Sequence, residues 1–125
     1  MPVRRPGQSR RDAGQAAVEF AVALPLIVVV VLAIAQVGVS IRHEIAVEAA
    51  ARAGARAAAV SADPGSARAA ARQAVALPMD IDVHSDGRIV SVTVTYIDPT
   101  DIAIIGALLG SVAHTATATM AIEPP

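Results

Sequence analysis

The sequence contains no cysteine. Neither a disulfide framework nor a thiolate metal site is therefore available, and cysteine usage leaves the redox compartment open. Tryptophan is absent, and one Phe and one Tyr bring the aromatic content to only 2%. The apolar mass, 54% of the chain, is thus alanine, valine, isoleucine and leucine, with few large side chains to anchor a core. Lysine is missing too. All 10 basic residues are arginine, and they are unevenly placed. Up to Glu19 there are Arg4, Arg5, Arg10 and Arg11 against Asp12 and Glu19, whereas from Leu77 onward Arg88 faces six acids. An acidic distal half with Tyr96 as its sole aromatic offers no phosphate-binding patch and no stacking platform, which argues against a nucleic-acid partner. With 125 residues the chain has room for one small domain. Such a domain buries too little surface to be very stable alone, so a partner subunit or a bilayer is expected to complete its burial.

The longest uninterrupted feature is apolar. Phe20 to Ile41 reads FAVALPLIVVVVLAIAQVGVSI, with Gln36 and Ser40 as its only polar side chains. At about 1.5 Å per residue such a helix spans about 33 Å, close to the hydrocarbon thickness of a bilayer. Its apolar residues surround the whole helix and leave no polar face for water, unlike a soluble amphipathic helix. A cleaved secretory signal ending at Ala33-Ile34-Ala35 is the rival reading. The apolar run is too long for a signal core and continues past Ala35, which favours a retained anchor. The arginines just before it predict a cytoplasmic N-terminus and a C-terminal domain outside, that is, a single-pass protein of the cytoplasmic (inner) membrane in contact with membrane lipid. Pro25, in the second turn, is a potential kink that membrane helices tolerate.

At the head of this helix lies GQAAVEFA, Gly14 to Ala21. A carboxylate at the mouth of a membrane helix must stay interfacial or find a partner, because burial at the bilayer centre costs on the order of 2.5–3.5 kcal/mol. If the chain is cut after Gly14, the new α-amino group of Gln15 lies about one helical turn from Glu19, and the two charges can neutralise each other within or between subunits. The plain alternative is a flexible glycine followed by an acid favoured by the helix N-terminal dipole. The combination of Gly14, Glu19 and Phe20 resembles the type IV prepilin processing site. With its basic lead, AAVEFA, the ALPLIV continuation and the alanine-rich helix that follows, the chain looks most like the TadE-like pseudopilins of tight-adherence (Flp-type) pilus systems over about Arg10 to Val60. Gln15 departs from the small or apolar residue with which pilins usually begin. The resemblance implies processing at Gly14 and Gln15 by a prepilin peptidase and charge pairing at the helix head through Glu19 beside Phe20. It also implies other pilin or pseudopilin subunits and the pilus secretion machinery as partners, and incorporation into an extracellular pilus.

Beyond the apolar run, Arg42 to Val60 continues as an alanine-rich helix. Glu44, Glu48, Arg52 and Arg56 recur every fourth residue as a charged stripe. Ala46, Ala50, Gly54 and Ala58 form a small-xxx-small stripe, which permits helix packing in an assembly, although so alanine-rich a helix also produces such repeats by chance. Asp63-Pro64-Gly65-Ser66 breaks the helix, and Asp63 or Ser66 caps a second one running to about Ala76. The period then changes to two. Ile81 and Val83 alternate with Asp80, Asp82 and His84; Ser85-Asp86-Gly87 makes a turn; Val90, Val92, Val94 and Tyr96 alternate with Ser91, Thr93 and Thr95. A third strand is expected over about His114 to Ile122, with Ala116, Ala118, Met120 and Ile122 on one side and Thr115, Thr117 and Thr119 on the other. Ile102 to Val112 is too short to span a membrane and reads as a buried or interfacial helix or an apolar loop.

The expected fold is therefore α+β and membrane-anchored: a long N-terminal transmembrane helix extended by an alanine-rich helix, then a small three-stranded antiparallel sheet, a pilin-like plan. Its spans are a basic leader (1–19), a membrane helix (20–41), alanine-rich helices (42–76) and a small β domain (77–125). Asp80, Asp82, His84 and Asp86 do not have EF-hand spacing, and hairpin solubility explains the acids. His43, His84 and His114 fall in three elements without a serine constellation or HExxH spacing, and Gly106 and Gly110 lack the context of a phosphate loop. No catalytic residue, cofactor or metal is expected. The function expected is a minor pseudopilin-like structural or assembly component; the alternative is a single-pass membrane-anchored binding module outside any pilus.

Overall fold

The computed structural model describes residues 8–99 and 110–122, and for residues 8–13 the backbone alone. The arginines of the leader and the segment 102–109 lie outside the residues whose side chains are described. Five elements follow in chain order: α1 (Gln8–Ser61), α2 (Pro64–Ala74), β1 (Asp80–Ser85), β2 (Ile89–Asp98) and β3 (Val112–Ala121). They fall into two compact units, Met1–Val39 and Ser40–Pro125.

The described part of the first unit is helix throughout. It runs through Pro25 without interruption, although proline has no N–H to bond the carbonyl one turn back. Its large apolar side chains are exposed all round, Val22 at 75% and Leu26 at 68% among them. Among the described residues, α1 is the one helix long and apolar enough to cross a membrane.

The second unit holds the rest of α1, α2 and the sheet. The last turn of α1 closes with an Ala62 N–H bond to the Ala58 carbonyl at 2.8 Å, and Ala62 then adopts a left-handed φ of 53° that stops the helix. Of the two capping candidates Asp63 is the one used: its carboxylate accepts the N–H groups of Gly65 and Ser66, each at 3.0 Å, and Pro64 occupies the first turn, where its missing N–H is harmless. The sheet has the order β1-β2-β3, antiparallel throughout. Asp86 shapes the first hairpin by accepting the N–H groups of Arg88 at 2.9 Å and Ile89 at 2.8 Å, and Gly87 supplies a φ of 85° that a side chain would resist.

The core forms where these layers meet. Val47, Ala50, Ala51, Ala55, Ala58 and Ala59 of α1 cluster with Ala67 and Ala71 of α2, Met79, and Val90, Val92, Val94 and Tyr96 of β2. The other face of the sheet carries a hydroxyl ladder: Ser91 with Thr119 at 2.8 Å, Thr93 with Thr117 at 2.9 Å, and Thr95 with Thr115 at 3.3 Å. Several boundaries differ from those expected. α2 ends at Ala74 rather than near Ala76, β2 continues to Asp98, and β3 begins at Val112, so the last residue of the apolar stretch Ile102 to Val112 is strand. Ladder pairing explains the longer strands, because Asp98 lies opposite Val112 and Ile97 opposite Ala113.

Candidate functional site

Three groups of residues are candidates for a functional role. At the helix head, Gly14, Gln15, Glu19 and Phe20 all lie on α1 and all are exposed. The Gln15 amide donates to Glu19 Oε1 at 3.1 Å, the one-turn spacing expected of i,i+4 neighbours on a helix. A Cβ added at Gly14 would meet nothing within 4 Å. Packing among the described residues therefore does not require glycine at this position, where glycine disfavours helix by about 1 kcal/mol relative to alanine.

The second group is the small-residue stripe. Ala50, Gly54 and Ala58 are buried and Ala46 is half-buried. Ala50, Gly54 and Ala58 pack within this same chain. A Cβ on Gly54 would stand 3.0 Å from the Ala67 carbonyl oxygen and 3.1 Å from Val92 Cγ1. Small residues here let α1 approach the backbone of α2 and the face of β2. The charged stripe lies on the solvent side. Glu48 pairs with Arg52 in the favourable acid-first order, and Glu44 reaches a histidine instead of a cation on its own helix.

That histidine belongs to the third group, which was not apparent from linear spacing. Two of the three histidines converge, while His84 stays exposed on β1. His43 Nδ1 lies 3.0 Å from Asp98 Oδ2, and His114 Nδ1 lies 3.0 Å from Glu44 Oε2. The two rings stand edge to face with centroids 5.7 Å apart, and His43 makes a similar contact with Tyr96 at 4.8 Å. Ser40 Oγ is 3.5 Å from His114 Nε2. Asp98 and His114 are buried, and His43 is partly so. The topology explains the meeting: the β2–β3 register sets His114 opposite Tyr96, two residues from Asp98, and His43 comes from the adjoining part of α1. Every buried side-chain nitrogen and oxygen among the described residues has a partner.

The stretch that contains the helix head and, of the small stripe, Ala46, Ala50 and Gly54 is also the stretch that is similar to a known family. Residues 14–56 match the family model for TadE-like protein. The match begins at Gly14 and ends within α1, before α2 and the sheet. No curated protein and no solved structure matches the chain. The matched stretch includes the apolar run, and the exposed apolar part of α1, the one such helix among the described residues, is in keeping with a membrane anchor.

Proposed function

We propose that this TadE-like chain is a minor pseudopilin-like structural or assembly component of a tight-adherence type pilus or a related secretion system. In this reading residues 20–41 anchor it in the cytoplasmic membrane with the leader inside, and residues 42–125 lie outside. A prepilin peptidase cuts after Gly14, and the matured helix inserts among other pilin or pseudopilin helices. The observation that carries the reading is the coincidence of the TadE-like match with a helix whose apolar surface finds no cover among the described residues. Two local features support it. Among the described residues no packing contact calls for glycine at position 14, and the Gln15–Glu19 contact lies at the turn where a new amino terminus would meet a carboxylate.

Mass spectrometry of the protein from its native membranes tests this. A mature chain starting at Gln15 is expected. It should revert to the unprocessed form in Gly14→Val, whose added side chain meets open space, and when the peptidase is deleted. An intact Met1 in wild type would reject processing and favour a membrane-anchored binding module.

A further inference from the structure

We propose that His43, Asp98 and His114 form a binding site for a divalent transition-metal ion of the zinc class, which ties α1 to β2 and β3. One ligand atom from each residue lies within 4.8 Å of the others. A tetrahedral zinc bound at about 2.1 Å holds its ligand atoms about 3.4 Å apart. His43 Nδ1 and Asp98 Oδ2, at 3.0 Å, are already near that spacing, and the metal would replace the proton they share. The third ligand needs to close by at most about 1.4 Å from the 4.8 Å limit.

The surroundings suit a metal ligand. With the Nδ1–H of His114 donated to Glu44 Oε2, Nε2 keeps its lone pair. This carboxylate–histidine arrangement orients metal-bound imidazoles and raises their basicity. The fourth position falls to solvent or to the Ser40 hydroxyl, which stands 3.5 Å from Nε2. Two imidazoles and one carboxylate favour zinc and its transition-metal neighbours over magnesium or calcium, which take oxygen ligands. Burial of Asp98 and His114 keeps bulk water from competing for both. The sequence has one further histidine, His84, exposed on β1, and it serves as the internal control.

The test uses the full-length chain in detergent micelles, free of any polyhistidine tag. Titration calorimetry with zinc chloride is expected to give one ion per chain. Affinity should fall at least about tenfold in His43→Gln and in His114→Gln, and roughly 10–100-fold in Glu44→Gln, which acts only by holding His114. His84→Gln should bind as wild type does. Zinc should also raise the melting temperature of wild type, because a ligand bound only by the folded state stabilises it, while magnesium should leave it unchanged. Failure of wild type to bind zinc would overturn the site, as would binding that survives in the His43→Gln/His114→Gln double variant or disappears in His84→Gln. If a site variant does not fold, as judged by circular dichroism, the wild-type melting shift decides: a zinc-specific rise upholds the site and its absence rejects it.

Discussion

Asp86 is a single exposed carboxylate that organises a whole hairpin. The N–H groups of Ile89 and Arg88 that it accepts hold its pKa below the ordinary value of 3.8. A depressed folded-state pKa means that the ionised carboxylate contributes stability above the ordinary value, and that this contribution is lost as pH falls through the lower, folded-state value. Urea midpoints measured from neutral pH down to about 2 should therefore decline at the acid end, and Asp86→Asn should flatten part of that decline. An unchanged acid limb in Asp86→Asn would show that the turn does not respond to this charge. Residue-level features varied in how far they could be read from sequence. A cap at Asp63 or Ser66 and the Gly87 turn were legible because each depends on neighbours two or three positions away. The convergence of His43, Asp98 and His114 was not, because it depends on the β2–β3 register and on where α1 lies in its unit. Placing His114 opposite Tyr96 in an assumed β2–β3 hairpin would have brought it near the end of β2, but nothing local points to His43.

At the level of elements, period-two alternation in β2 translated directly into burial, with Val90, Val92, Val94 and Tyr96 inward. Strand ends were less legible, since pairing rather than composition carries β2 out to Asp98 and starts β3 at Val112. The small stripe on α1 was visible in the sequence, but its occupant was not, because α2 and another copy of a helix make the same demand for small residues. Gly54 now gives that stripe a measurable role. Gly54→Val would drive two methyl groups toward the Ala67 carbonyl oxygen and Val92 Cγ1, at a site where even a Cβ stands 3.0 Å from one and 3.1 Å from the other. Overpacking of this kind should destabilise the second unit by about 1–3 kcal/mol in chemical denaturation. A change within about 0.5 kcal/mol, the range of ordinary surface substitutions, would mean that α2 yields freely and that the close approach is incidental.

For the whole molecule, the exposed apolar shell of α1 between Phe20 and Val39 has a simple consequence for handling. The full-length product should sediment with membranes on ultracentrifugation and enter the supernatant only with detergent, and a chain beginning after Ile41 should stay soluble without it. Full-length protein that remained in a detergent-free supernatant would remove the basis for an anchor. The core of the second unit has a less obvious thermodynamic effect. Seven of its members are helical alanines, side chains with no rotamers to lose on ordering and little hydrocarbon to expose on melting. Hydration of newly exposed apolar surface is what bends a protein's stability curve. With so little of it, this small unit should hold a nearly constant, modest margin against unfolding from cold to warm.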